Sequence, residues 1–332
     1  MKRREFIALV GGATVALPFT AGAQQGERVR RIGLLMAFAE TDPAAQSQVA
    51  AFRGTLAKLG WTEGRNLRIE LRWGAGDADR ISTLARELVE LRPDAIVGQT
   101  TPVTGALARE TRTIPIVFAV VSDPIGSGFA TSFAHPGGNI TGFTTNEPAI
   151  GGKWMELLKE IAPRTASVGL LFNPTTAVAP QLFISSIEAA ASPLSVQVSA
   201  APVHAKNEIE GVITAQAHNP GGSLVVMPDA FFFNVPTRDL IIASAARNGV
   251  PTVYFDRLFV ESGGLIAYGA DFPEELRQAA GYVDRILKGA KVTDLPIQQP
   301  TKYELVLNLK TAKLLGLNVP DKLLAVADQV LE

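Results

Sequence analysis

The chain has 332 residues, is 47% hydrophobic and has a formal net charge of −1, so it holds enough apolar material for two cores and no basic surface for nucleic acid. It has no cysteine, which excludes disulfides, thiolate metal sites and thiol catalysis. The apolar run Arg30–Ala37 is a predicted strand, and Val49, Phe52, Leu56 and Leu59 recur at helical spacing over 44–59, with Gly60 as cap. Leu67–Trp73 alternates as a strand does, Ile81–Leu91 is helical and Pro93 stops it. Ala95–Gly98 is a buried strand, Val103–Arg112 a helix and Ile114–Val121 another strand. A second series follows: helix 153–161, strand 167–172, helix 181–191, strand 194–199, helix 206–217, strand 222–227, helix 237–248 and strand 251–255. Strands at 265–268 and 301–308 and helices at 273–287 and 309–315 complete the chain. Repeated βα units predict an α/β chain of two similar lobes, each with a mostly parallel sheet.

Residues 1–23 read as an export signal. Lys2, Arg3 and Arg4 form its positive end, Phe6–Leu17 its apolar stretch and Ala21-Gly22-Ala23 a small-residue cleavage site. The Arg3-Arg4-Glu5-Phe6 run resembles a twin-arginine signal, and the apolar stretch is too short for a permanent membrane span.

Polar residues cluster where the strands end. Gln99, Thr100 and Thr101 follow one strand, Ser122-Asp123-Pro124 the next, and Asn139 and Thr141 sit in a turn read over 136–142. Carboxyl ends of parallel strands border the crevice where open α/β sheets bind ligands. Asn173-Pro174, Pro228-Asp229 and Asp256-Arg257 are the corresponding turns of the second series. Asp123, Asp229 and Asp256 either hold a metal together or are one cation-binding residue and two turn formers, since aspartate beside proline, as at Asp123 and Asp229, is a common turn signal. Gly137-Gly138-Asn139 is either a tight turn or an exposer of backbone N–H groups. Of the adjacent Phe231, Phe232 and Phe233, some cap a core or one lines the cleft. There is no GxGxxG after the first strand, no phosphate loop and no GxSxG elbow, and His135, His204 and His218 lack ligand spacing.

Several stretches carry a family resemblance: LGWTEGRNLRIELRWGAGD (59–77), PDAIVGQTTPVTGAL (93–107), IPIVFAVVSDPIGSGF (114–129) and PGGNITGFT (136–144). The second half adds KWMELLKEIAP (153–163), VGLLFNP (168–174), RDLIIASAARNGVPTVY (238–254) and PTKYELVLNLKTAKLLGL (300–317). Together they resemble the periplasmic substrate-binding proteins of ABC importers that include the tryptophan/tyrosine-binding group. The resemblance implies a type I periplasmic binding protein-like fold, of two βα lobes joined by three crossover segments. Those crossings are expected near 143–146, 262–269 and 291–300, with lobe 1 at 29–144 plus 268–290 and lobe 2 at 145–267 plus 291–332. It also implies a periplasmic monomer without cofactor or metal, and not an enzyme. Such a protein captures a small carboxylate-bearing solute, an amino acid or related organic acid, and delivers it to an ABC permease in the inner membrane. The Thr100-Thr101 pair matches the threonine turn that receives the ligand carboxylate; Asp123, Asn139 and Thr141 match cleft-side turns, and Asn173 and Asp229 their second-lobe equivalents. Asp229 or Asp256 is then expected to meet an amine, and Phe38, Phe231 or another apolar side chain a ring or aliphatic tail. The alternatives are an exported ligand sensor for a membrane receptor, or a two-lobed hydrolase with Asp123 and Asp229 as acid and base.

Overall fold

The computed structural model describes residues 28–332 except 146, 178 and 179; the export signal expected over 1–23 lies outside the described residues, as does Asn146 in the first expected crossing. The first lobe is β1 (Arg30–Met36), α1 (Pro43–Lys58), β2 (Leu67–Trp73), α2 (Ala78–Glu90), β3 (Ala95–Gln99), α3 (Thr101–Glu110), β4 (Ile116–Val121) and β5 (Ile140–Thr144). Its sheet is parallel throughout, in the order β2-β1-β3-β4-β5. The second lobe opens with α4 (Ile150–Ile161), β6 (Ser167–Phe172), α5 (Pro180–Ala191), β7 (Gln197–Pro202), α6 (Ile209–Ala217) and β8 (Gly222–Val226). It continues with α7 (Ala230–Phe233), α8 (Val235–Arg247), β9 (Thr252–Tyr254), α9 (Arg257–Glu261) and β10 (Ile266–Ala270). After α10 (Phe272–Leu287) come β11 (Tyr303–Asn308), α11 (Leu309–Leu314), α12 (Asp321–Val326) and β12 (Gln329–Leu331). The second sheet runs β12-β11-β10-β9-β8-β6-β7, with β10 and β11 antiparallel. This is the α/β, type I periplasmic binding protein fold, with two sheets in two lobes.

Central strands are almost wholly apolar because helices cover both faces; every residue of β3 and of β4 is buried, including Gln99 at the end of β3. α1 begins where Asp42 accepts the N–H groups of Ala44 and Ala45 ahead of Pro43. It buries Val49, Phe52 and Leu56, whereas Leu59, expected on the same face, lies past the last turn and is exposed. Full burial of Phe52 contributes about 1.5–3 kcal/mol.

The lobe boundaries differ from those expected. Tyr268, Gly269 and Ala270 remain in β10, paired with β11, so the second crossing falls at Asp271. α10 then packs on α1 and β4 of the first lobe, and the Trp61 indole donates to Asp284 at 2.8 Å. Residues 291–298 also stay with the first lobe: Thr141 Oγ1 donates to the Leu295 carbonyl at 2.6 Å, and Phe143 bridges Gln298. The third crossing therefore occupies 299–302, after the Gln298 N–H has donated to the Gly142 carbonyl. The turn read over 136–142 ends in a strand, β5. Its two threonines and a glycine hide the apolar signal, and β4 on one side and the Gln298 segment on the other hold it extended. At Gly142 (φ 156°) a Cβ would strike the Phe118 backbone, so only glycine allows β5 this close to β4.

Candidate functional site

The carboxyl ends of β3, β4 and β5 form one wall of an interlobe cleft that encloses about 450 Å³, part of it open to solvent. Thr100, Thr101, Val120, Ser122 and Thr145 line this wall. Thr100 stands at the entry of the ten-residue α3 with φ 78°, a left-handed conformation unusual for a β-branched residue. Its N–H donates to the Ala119 carbonyl at 2.9 Å, and its own carbonyl accepts from the N–H of Thr104. Its hydroxyl caps nothing: Thr100 Oγ1 is buried and has no hydrogen-bond partner. The same holds for Thr145 Oγ1 just past β5. A buried hydroxyl without a partner costs free energy that a ligand contact recovers. The first N–H groups of α3 add the positive end of a helix to this wall.

The facing wall comes from the second lobe, through Thr176, Pro228, Asp229, Phe233 and Phe255, with Phe272 from the start of α10. Asp229 caps α7: its Oδ1 accepts from the Phe231 N–H at 2.9 Å and the Thr176 hydroxyl at 2.6 Å. Oδ2 accepts from the Asn173 N–H at 3.0 Å, which leaves that oxygen one further acceptor site. Burial pushes the Asp229 carboxyl above its ordinary range, and the Thr176, Phe231 and Asn173 contacts oppose this. Phe233 packs edge-on against Phe255 with centroids 5.1 Å apart, and lies 5.8 Å from Phe272 and 5.2 Å from Phe38. One wall thus offers hydroxyls and helix N–H groups, the other a carboxylate beside a bank of phenyl rings.

A family model described as ABC transporter substrate binding protein matches residues 35–331. The chain belongs to that family. It is a family of substrate-binding proteins and not of enzymes. The chain is 26% identical over 282 residues to a tyrosine-binding protein of Clostridioides difficile (strain R20291), covering 83% of this chain and 78% of that one. It is 26% identical to an ABC domain of Streptococcus pneumoniae solved in complex with L-Trp, with a TM-score of 0.82 over 91% of this chain and 99% of the other. A conserved domain protein of Vibrio cholerae O1 biovar eltor is 27% identical, with a TM-score of 0.82 over 91% of this chain and all 100% of the other.

In this substrate-binding protein Thr100, Thr101 and Asp229 all line the cleft. The other sequence-derived candidates do not line it. Asp123 accepts from the Gly126 N–H at 2.7 Å and forms its own turn, while its neighbour Ser122 takes the cleft position. Asn139 lies at the amino end of β5, away from the cleft, and its amide donates to the Ile114 carbonyl at 2.7 Å. Thr141 is fully buried within β5 and bound to Leu295. Asn173 supports Asp229 from behind: its Oδ1 accepts from the Thr175 N–H and its amide reaches the His204 carbonyl. Asp256 caps α9 through the Leu258 N–H and is buried, with Phe255 beside it on the cleft. Phe38 backs Phe233, which takes the place expected for Phe231; Phe231 packs on Phe232 instead. Sequence reasoning missed Thr145 and Thr176, and it did not single out Phe233 from the three adjacent phenylalanines. Thr176 had a signal, three residues beyond Asn173 in the same turn. Among the described residues no group of three or more acidic or histidine side chains is placed to hold a metal, and no helix is long and apolar enough to cross a membrane.

Proposed function

We propose that this chain is the periplasmic binding component of an ABC importer, taking a zwitterionic aromatic amino acid into the interlobe cleft. The observation that carries the reading is the pair of buried, unpartnered hydroxyls of Thr100 and Thr145 across the cleft from Asp229. The hydroxyls and the α3 N–H groups hold the ligand carboxylate, and the open acceptor site on Asp229 takes its ammonium. Phe233, Phe255 and Phe272 receive the ring. Relatives that bind tyrosine or carry L-Trp support an aromatic ligand. Contacts to both walls exist together only when the lobes are closed, so ligand shifts the population toward the form a permease reads. No bond is broken, and the protein works as a monomer without cofactor. The test is calorimetric titration of the mature protein, unfolded to strip ligand and refolded, against L-tyrosine, L-tryptophan and L-phenylalanine. Stoichiometric, saturable binding is expected; a folded protein that binds none of them overturns the reading.

A further inference from the structure

Glu275 lies on α10, outside the cleft, and is 3% exposed. Its Oε2 accepts a 2.8 Å hydrogen bond from the backbone N–H of Val120, and its Oε1 has no hydrogen-bond partner. Val120 has φ 59°, a genuine outlier for a β-branched residue, and such strain persists only where the surroundings impose it. It sits where the β4–β5 register breaks between Phe118 and Val121, a bulge at the cleft rim. The neighbours of Val120 hold the two cleft threonines: the Ala119 carbonyl accepts from the Thr100 N–H at 2.9 Å, and the Val121 carbonyl from the Thr145 N–H at 3.1 Å. One carboxyl thus anchors the middle of a three-residue segment whose ends set both unpartnered hydroxyls.

We propose that Glu275 is a positioning residue for the binding cleft, holding Val120 left-handed so that Ala119 and Val121 present Thr100 and Thr145 to the ligand. A carboxyl buried without a cation beside it is costly, and leucine would fill the same place more favourably if packing were its only task. Burial pushes the Glu275 carboxyl well above its ordinary range; the Val120 N–H and the nearby Thr145 side chain oppose this, and Asp271 and Asp256 add to it. The role rests on the cleft being the binding site, but its geometric part can be measured without any ligand.

The experiment is amide hydrogen exchange on the full mature chain, paired with titration of L-tryptophan and L-tyrosine. In the wild type the Val120 amide exchanges as slowly as the rest of β4; fast exchange there overturns the proposal whatever the variants do. Glu275→Gln keeps an acceptor oxygen, so exchange over 118–122 and affinity stay within about threefold of wild type. Glu275→Leu, or Glu275→Met should leucine prevent folding, speeds exchange over 118–122 by about tenfold with β1 unchanged, and weakens binding by about tenfold. Adding Val120→Gly, which removes the strain of a positive φ, restores most of that affinity. A folded Glu275→Leu protein with unchanged exchange over 118–122 overturns the proposal, as does a double variant no better than Glu275→Leu. A wild type that binds neither amino acid sinks the aromatic-ligand reading alone, because the exchange results still decide what Glu275 does.

Discussion

The backbone N–H of Asn173 donates a 3.0 Å hydrogen bond to Oδ2 of Asp229. Two strand-end residues that look equivalent in sequence thereby take unequal parts. Asp229 faces the cleft, and Asn173 holds it there while shaping the turn that brings up Thr176.

Protonation of Asp229 therefore acts in opposite directions on folding and on binding. Burial raises its folded-state pKa above 3.8, so the fold favours the protonated acid. Its contribution to stability is fully present below the unfolded value and is lost as pH rises through the folded one. The ammonium of a ligand needs the ionised form, so affinity falls as pH drops through that same raised value. Calorimetric titration and thermal melts of the ligand-free protein across pH 4 to 8 should show these opposite trends. Asp229→Asn should weaken binding by about tenfold or more at neutral pH and remove the pH dependence of affinity.

Replacing Thr100 and Thr101 together with valine tests the hydroxyl wall. Thr100 Oγ1 has no partner in the protein, so its loss leaves no internal hydrogen bond broken. The melting temperature should stay within about 2 °C while affinity falls about tenfold, the worth of one or two hydrogen bonds to a charged group. Unchanged affinity by calorimetry would place the carboxylate contact elsewhere.

Asp256 predicts a pH dependence of stability. Burial pushes its carboxyl up to about 7; the Leu258 N–H opposes this, Glu261 adds to it, and Arg257 and Arg238 oppose it. The Glu275 carboxyl also faces it. Because the folded pKa lies above the unfolded 3.8, stability falls as pH rises from about 3.8 to about 7 and levels off beyond. Asp256→Asn keeps a cap for the Leu258 N–H and introduces no charge. Thermal melts from pH 4 to 8 should find this variant flatter with pH than the wild type and more stable at pH 8.

Gln99 belongs to the same polar run as Thr100 and Thr101, yet it is fully buried and acts as a brace. Its Oε1 accepts from the Ala37 N–H at 3.0 Å, and its Nε2 donates to Gln48 Oε1 at 2.5 Å, tying β3 to the end of β1 and to α1. Gln48→Leu strands the buried amide of Gln99 and should cost about 1–3 kcal/mol in a denaturant titration. Ligand affinity should remain within about twofold, which separates bracing from binding.

Periodicity was enough to read most of the alternating strands and helices, because parallel strands buried on both faces are continuous apolar runs and their helices are striped every three or four residues; the short α7, α9, α12 and β12 span too few residues to show a period. The same logic put Thr100, Thr101 and Asp229 at strand ends facing one crevice. What sequence could not show depends on partners distant in the chain. β5 exists because β4 and the Gln298 segment hold it. α10 follows a strand of the second lobe yet belongs to the first because its apolar face fits α1.

For single side chains, residue type and place in a turn do not say which way a group points. Asp123, Asn139 and Thr141 are as polar as Thr100, but a local N–H or a nearby carbonyl takes up each of them. Thr145 and Thr100 keep free hydroxyls because the strained Val120 bulge, held from α10, turns them toward the cleft. The amino-acid sequence by itself determined two α/β lobes with polar strand ends, since burial patterns are local. Only the tertiary structure decided which of those polar groups were already satisfied, since hydrogen-bond partners across the fold are not.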